Sequence, residues 1–339
     1  MKNTTIIDVA KAAGVSVATV SRVVNGNYPV RESTRERVRK AIDELHYVPN
    51  VQARELNTRR SSIIGVVLPS LYNMFFAEVI DGIEEFVRKD GFSLILNCAK
   101  NDPKQEMNCI KALVARNVSG LIVISPNTAH IEEGFYARLA MRMPIVFVNG
   151  YHRIRGVSYV MNDERVGMRH ALAYLLRLGH KRILFVRGEN SDSYAIKEQS
   201  YREFLEPRGL FQENFIVDIG EGNSLDTVDD TQKALLTAIP SIGPTAVCCC
   251  NDLMAVGALN ACKQLGLRVP QDISIMGYDN ISLSRLISPK LTTMDQNMFQ
   301  LGESAASVLV HRIRTGENRH VTLDNVLVTR ESTAPVSAE

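Results

Sequence analysis

Seven short runs of almost unbroken apolar residues constrain this chain most: "IIGVVLP" (63–69), "FSLILNC" (92–98), "GLIVIS" (120–125), "IVFVNG" (145–150), "RILFVRG" (182–188), "AVCCCND" (246–252) and "ISIMGYD" (273–279). Each is followed by an amphipathic stretch of helical period, such as "FAEVIDGIEEFVRKDG" (76–91). A strand exposed on one face alternates apolar with polar residues, whereas continuous apolar character belongs to strands covered on both faces, as in parallel sheets. Strand and helix in alternation predict a doubly wound α/β body. At 339 residues the chain exceeds one core, since domains run to about 100–200 residues. Seven or more βα units from Ser62 onward are therefore expected to form two sheets rather than one. No run reaches the roughly 18 apolar residues of a membrane span. The opening "MKNTTIIDVAKAAG" carries Asp8 and has no apolar core of signal-peptide type, so the protein is expected to stay in the cytosol.

The first sixty residues differ in character. They hold eleven Lys/Arg against six Asp/Glu, leaving 28 against 31 for the rest. A small basic unit on a slightly acidic body is the electrostatic footprint of a nucleic-acid-binding module. Within it, "TIID" (Thr5 to Asp8) fits a capping box that starts a helix near Ile6 and carries it to a turn at Gly14. Ser16 then caps a second helix. On that helix Val17, Ala18, Ser21, Arg22 and Asn25 share one arc, opposite Val20, Val23 and Val24. An ordinary amphipathic surface helix has such a face. So does the second helix of a helix-turn-helix, which enters the DNA major groove. A third helix within Ser33–Tyr47 places Val38, Ala41, Ile42 and Leu45 on one side and closes a three-helix core. The following basic segment, 47–62, has room for a helix of about eight residues, marginal on its own. Leu56 there either packs between the flanking domains or serves as a wedge in a DNA step.

Ligands of open α/β sheets sit at the carboxyl ends of strands. Those ends are polar here: Asn149, Asn251 with Asp252, and Tyr278 to Asn280. Phe75 and Phe76, just after the first apolar run, can lie against the apolar face of a sugar. The six cysteines form no C-x-x-C pair, and adjacent Cys248, Cys249 and Cys250 on a strand point to alternate faces. They are expected to be reduced and buried, with no metal and no cofactor. No nucleotide-binding glycine motif, H-E-x-x-H or G-x-S-x-G is present, and His180 in "LGHKRI" sits at a helix-to-strand turn. A binding function is thus expected rather than catalysis. The competing readings are a cytosolic solute-binding protein and a sugar-acting enzyme with a similar core.

"DVAKAAGVSVATVSRVVNG", "YVPNVQARELN", "GIEEFVRKDGFSLIL", "VSGLIVIS", "YLLRLGHKRILFV", "NDLMAVGAL", "VPQDISIMGYDN" and "LTTMDQNMFQLG" resemble the successive motifs of the bacterial lactose/galactose repressor family, over almost the whole chain. The resemblance implies a ligand-responsive repressor: a helix-turn-helix headpiece (1–49), a hinge (50–61), and a core similar to periplasmic binding proteins. The two core subdomains would be 62–161 with 291–322 and 162–290 with 323–339. It also implies a homodimer on palindromic double-stranded DNA. Val17, Ala18 and Arg22 match the base-reading places, and Ser16, Thr19, Ser21 and Asn25 the supporting ones, with Thr5 and Asn50 as further DNA contacts. Ala53 and Leu56 match the minor-groove residues of the hinge. Phe75, Asn149, Lys197, Asn251, Asp279 and Gln296 match effector-pocket positions, beside Phe76. The implied effector is a sugar or sugar phosphate; a protein corepressor is compatible but has no sequence feature behind it. Three departures stand out. Met74 replaces a proline, and Arg31 leaves the third helix uncapped unless Ser33 substitutes. Lys197 in "KEQSY" replaces a clamping arginine. An ammonium is a mobile point charge rather than a bidentate fork, which leaves open an anionic effector or a neutral sugar held differently.

Overall fold

The computed structural model describes residues 4–26, 28–48 and 61–336. The chain divides into two compact units, Met1–Ser61 and Ser62–Glu339. In the first, α1 (Ile6–Ala13), α2 (Val17–Asn25) and α3 (Glu32–Glu44) pack around Val9, Ala10, Ala13, Val20, Val38 and Ala41. The start of α1 is fixed by a reciprocal cap: Thr5 N–H donates to Asp8 Oδ2 at 2.8 Å, and Asp8 N–H donates to Thr5 Oγ1 at 3.4 Å. Gly14, at φ 63°, ends α1 in the left-handed conformation that glycine adopts without steric cost. Ser16 Oγ then accepts from Thr19 N–H and starts α2. Neither Arg31 nor Ser33 caps α3 with a side chain.

The second unit contains two six-stranded sheets. The first comprises β1 (Ile63–Leu68), β2 (Ser93–Cys98), β3 (Gly120–Ile124), β4 (Ile145–Val148), β5 (Ser158–Asn162) and, late in the chain, His320–Leu323. The second comprises β6 (Ile183–Arg187), β7 (Ile216–Asp218), β8 (Ala246–Cys249), β9 (Ser274–Asp279), β10 (Thr292–Asp295) and Val326–Val328. Taking His320–Leu323 as β11 and Val326–Val328 as β12, the orders are β11-β5-β4-β3-β1-β2 and β12-β10-β9-β8-β6-β7. Every pairing is parallel except β10 with β12. All seven apolar runs contain strands, and six are largely buried, whereas β2, at the edge of the first sheet, has no buried residue and leaves Leu96 43% exposed.

The chain crosses between sheets three times. The second crossing corrects the expected boundary at residue 291. Thr292–Asp295 pairs in parallel with Met276–Asp279, and Thr293 Oγ1 donates to the buried Asp252 Oδ1 at 2.6 Å. These residues belong to the second subdomain, and the chain returns only after Asp295. It does so through the helix Met298–Thr315, which packs on the helix Met74–Lys89 against the first sheet. That helix pair is nearly in backbone contact: a Cβ built on Gly302 would lie 1.9 Å from Val79 O, and one on Gly82 2.0 Å from Phe299 O. Gly→Ala in a helix gains up to about 1 kcal/mol of propensity. A methyl driven into a carbonyl forces the helices apart and, like other overpacking, costs about 1–3 kcal/mol. Gly302→Ala is therefore expected to lower stability by a net 1 kcal/mol or so. Urea unfolding of the variant beside the wild type measures it, and an unshifted midpoint would contradict the close approach.

Candidate functional site

On the headpiece, Val17, Ala18 and Arg22 are exposed. Their polar neighbours are tied to one another: Asn25 Nδ2 donates to Ser21 Oγ at 3.1 Å, and Ser16 Oγ lies 2.9 Å from Thr19 Oγ1. Thr5 is held in its capping box. The face thus offers two small apolar groups and one guanidinium on a rigid polar frame. Sequence reasoning missed Tyr28, whose exposed ring lies 5.2 Å from the Arg22 guanidinium carbon, within cation–π range. Asn50, Ala53 and Leu56 lie outside the described residues.

In the core, strand ends from both sheets line two neighbouring cavities of about 40 and 530 Å³. Phe75, Phe76, Asn149, Lys197, Asn251, Asp279 and Gln296 all line the smaller. Asn149 follows β4 at φ 49°, and its Oδ1 accepts from Asn162 N–H at 3.0 Å. Asn251 caps the helix Asp252–Gln264: Oδ1 accepts from Met254 N–H, while Nδ2 donates to Tyr194 Oη and Gly222 O, both at 2.9 Å. Its amide is fully engaged, so its hold on the pocket runs through Tyr194. Phe75 and Phe76 meet edge to face at 5.3 Å and are nearly covered.

Asp279 ends β9 at φ 113°, and its Oδ1 accepts from Gln296 Nε2 at 2.6 Å. Burial pushes its carboxyl up to about 7 against the opposing pull of Lys197. Gln296 Oε1 is buried without a hydrogen-bond partner, an acceptor open to a donor from a ligand. Lys197 is 1% exposed. Its Nζ donates to Cys250 O at 3.0 Å, lies 3.8 Å from the Tyr278 ring centre, and stands 3.6 Å from Glu164 Oε2. Asp252, flagged with Asn251, points into the protein instead, accepting from Thr293 and from Ile281 N–H. Asn280 is engaged by Asp295 and Arg330, and His180 Nε2 bonds Ala334 O. The three adjacent cysteines and Cys262 are buried, whereas Cys98 and Cys109 are half-buried; all six are free.

The larger cavity escaped the sequence reading. Around the two cavities four hydrogen bonds join the subdomains: Ser70 Oγ to Asn223 O at 2.6 Å, Asn73 Nδ2 to Asn223 Oδ1 at 2.9 Å, Thr128 Oγ1 to Asp192 Oδ2 at 2.8 Å, and Asn101 to Glu221. Polar clusters such as "GENSDS" (188–193) and "GEGNS" (220–224), each after a second-sheet strand, were the available signal. Among the described residues no group of three or more His, Cys, Asp or Glu can hold a metal, and no helix is long and apolar enough to cross a membrane.

Residues 5–50 match the family of bacterial regulatory proteins, lacI family, and residues 172–333 a periplasmic binding protein-like domain. The chain is 35% identical to the ribose operon repressor of Haemophilus influenzae over 97% of its own length and 98% of that protein. It is 34% identical to the HTH-type transcriptional repressor PurR of Vibrio atlanticus over 91% and 92%. The crystal structure of the lac repressor dimer bound to operator and the anti-inducer ONPF superposes with a TM-score of 0.84 at 29% identity, covering 98% of this chain and 100% of that one.

The buried Asp279 carboxyl makes stability depend on pH. An unfolded aspartate titrates near 4 (about 3.9), and this one near about 7. Between those values the folded state binds the extra proton, so the stabilising contribution is complete below about pH 4 and is lost as pH rises through about 7. Buried Asp252 is raised in the same direction. Asp279→Asn should remove its share, leaving the variant with a flatter decline between about pH 4.5 and 8. Parallel stability profiles of the two proteins by urea unfolding would contradict the assignment.

Proposed function

The chain belongs to the LacI family of bacterial regulatory proteins, and on that premise we propose that it is a sugar-responsive transcriptional repressor, binding a palindromic operator as a homodimer. The observation that carries the proposal is that one chain joins an outward Val17–Ala18–Arg22 face to a polar cavity beside an open acceptor at Gln296 Oε1. The first can read base edges. A guanidinium bonds guanine O6 and N7 together, and small apolar groups contact a thymine methyl. The second suits a polyhydroxylated molecule, whose hydroxyls donate to Gln296 and Asp279. A relative named for a ribose operon makes a pentose the first ligand to try. PurR, at nearly equal identity, carries another name, so identity alone does not choose the effector.

Apolar Leu71, Tyr72, Met74 and Leu96, left exposed on the first subdomain, fit a surface covered by a second copy. Operator DNA as target places the protein in the cytoplasm, and we read it as a regulator rather than an enzyme. To carry occupancy from 99:1 to 1:99 the effector must distinguish the DNA-binding and released states by about 5.5 kcal/mol, or about half of that at each of two pockets.

Arg22→Ala is expected to cost about 1–3 kcal/mol of operator affinity while leaving the salt-driven affinity for unrelated DNA nearly unchanged. Fluorescence anisotropy with operator and scrambled duplexes at one salt concentration separates the two. Equal losses on both would mean that Arg22 holds only phosphate, and no salt-sensitive operator binding by the wild type would sink the repressor reading.

A further inference from the structure

Glu164 lies outside both cavities, yet its carboxylate organises the wall of the smaller one. It is 2% exposed, in the first turn of the helix Glu164–Arg177, directly after the first crossing between sheets. Its Oε1 accepts from Ser193 Oγ at 2.8 Å and from Tyr151 Oη at 3.1 Å, and its Oε2 faces Lys197 Nζ at 3.6 Å. Among the described residues, Lys197 is the one cation lining the smaller cavity. Two positive side chains reach the larger, and one of them, Arg187, is held by Glu198 and Asp218. Facing the two stand the carboxylates of Asp102, Glu106, Glu189, Asp192 and Glu221. In the smaller cavity an anionic ligand would find only Lys197 to bind, and that charge already has a partner, while in the larger the remaining cation, Lys100, stands among those five carboxylates.

We propose that Glu164 is a specificity-determining residue that makes this site reject anionic sugars: by holding the Lys197 ammonium it leaves the pocket selective for uncharged polyols. This rests on the reading of the cavity as an effector site and decides the effector's charge. The reasoning is one of competition. A buried ammonium already matched by a carboxylate, a carbonyl and an aromatic face gains little from a phosphate, while the phosphate loses its hydration and meets Asp279. A neutral ligand meets neither obstacle, and selectivity of this kind arises from the repulsive element as much as from the attractive one. In Glu164→Gln the carboxamide oxygen still accepts from Ser193 and Tyr151, but its NH₂ group cannot accept from Lys197. The ammonium then needs a new anion, and the cavity is where one can enter.

The test is calorimetric titration of inorganic phosphate and of ribose 5-phosphate into the full-length wild type, Glu164→Gln, and the double variant Glu164→Gln/Lys197→Met. The expected result is no saturable binding to the wild type, at least tenfold tighter binding to Glu164→Gln, and loss of the gain in the double variant. Wild-type affinity equal to that of Glu164→Gln overturns the proposal, and so does a gain that survives without Lys197. Should Glu164→Gln fail to fold, thermal unfolding of Lys197→Met and of the double variant decides instead. Mutual neutralisation requires the double variant to be more stable than Lys197→Met, and the reverse order overturns it. Failure of the repressor reading would show as absent operator binding in anisotropy, a measurement independent of these titrations.

Discussion

Three passages of the backbone between two parallel sheets, after Asn162, after Asp295 and after Leu323, set the geometry on which everything else in the core depends. In a parallel sheet all carboxyl ends lie along one edge, so strands joined this way meet edge to edge with their terminal residues facing a common gap. The chain must leave each strand abruptly there. Ser125 after β3 and Asn149 after β4 do so at φ 49°, and Asp279 at φ 113°. None is glycine, and all three line the smaller cavity. Left-handed backbone in non-glycine residues is uncommon and costs free energy that the surrounding structure must offset. Here it aims one hydroxyl, one amide and one carboxylate into the same few ångströms.

The polar groups at the crossings are arranged for function rather than for maximal stability. Three buried side-chain oxygens without a hydrogen-bond partner, Asn162 Oδ1, Gln296 Oε1 and Asn325 Oδ1, fall one at each of the three crossings, and a fourth, Glu164 Oε2 at the first, makes no hydrogen bond but faces the Lys197 ammonium at 3.6 Å. A buried unsatisfied acceptor costs about 1–3 kcal/mol. Such groups are rarely concentrated in a region selected for stability alone. Around them the remaining polar groups interlock: Asn162 Nδ2 donates to Gln296 O, and Asn325 Nδ2 to both Asp163 O and Tyr278 Oη. A change at Gln296 therefore reaches the first and second crossings through direct contacts.

Much of this fold was legible in the sequence because burial on both faces leaves an unmistakable apolar record. Five strands lie outside those runs, among them β7 (Ile-Val-Asp) and β12 (Val-Leu-Val), largely apolar but only three residues long. β7, β11 and β12 lie at sheet edges, where one flank needs no partner. β5 and β10 are interior but short and rich in Ser, Thr and Asn. Their polar side chains are satisfied from elsewhere in the chain, as Ser158 by Asn318 and Thr292 by Thr333. The crossing misplaced at residue 291 has the same origin, because "TTMD" has no apolar signature. At the site, Asn149, Asn251 and Asp279 at strand ends do line the smaller cavity, since backbone topology places them, while Lys197 and Gln296 were named through the family resemblance. Two things stayed hidden: that the Asn251 amide is spent on a helix cap, and that Lys197 has a counter-charge 33 residues earlier. Pairings between side chains distant in sequence are decided by packing, and no local spacing records them. Tyr28 escaped for a different reason: the turn after α2 has no period to read.

The energies around the two cavities are of the size that a ligand-driven switch requires. Four hydrogen bonds per chain span the gap between subdomains there, two of them on Asn223. At a net 0.5–1.5 kcal/mol each, they amount to about 2–6 kcal/mol per chain. The effector must supply about half of 5.5 kcal/mol at each pocket to invert the population of a dimer. The two quantities are commensurate, so a ligand that exchanges two or three of these bonds for its own changes the balance between subdomain arrangements without touching either hydrophobic core. Cores packed as tightly as these resist continuous deformation. The boundary between them is held by replaceable polar contacts, so a ligand worth a few kilocalories competes with it on equal terms.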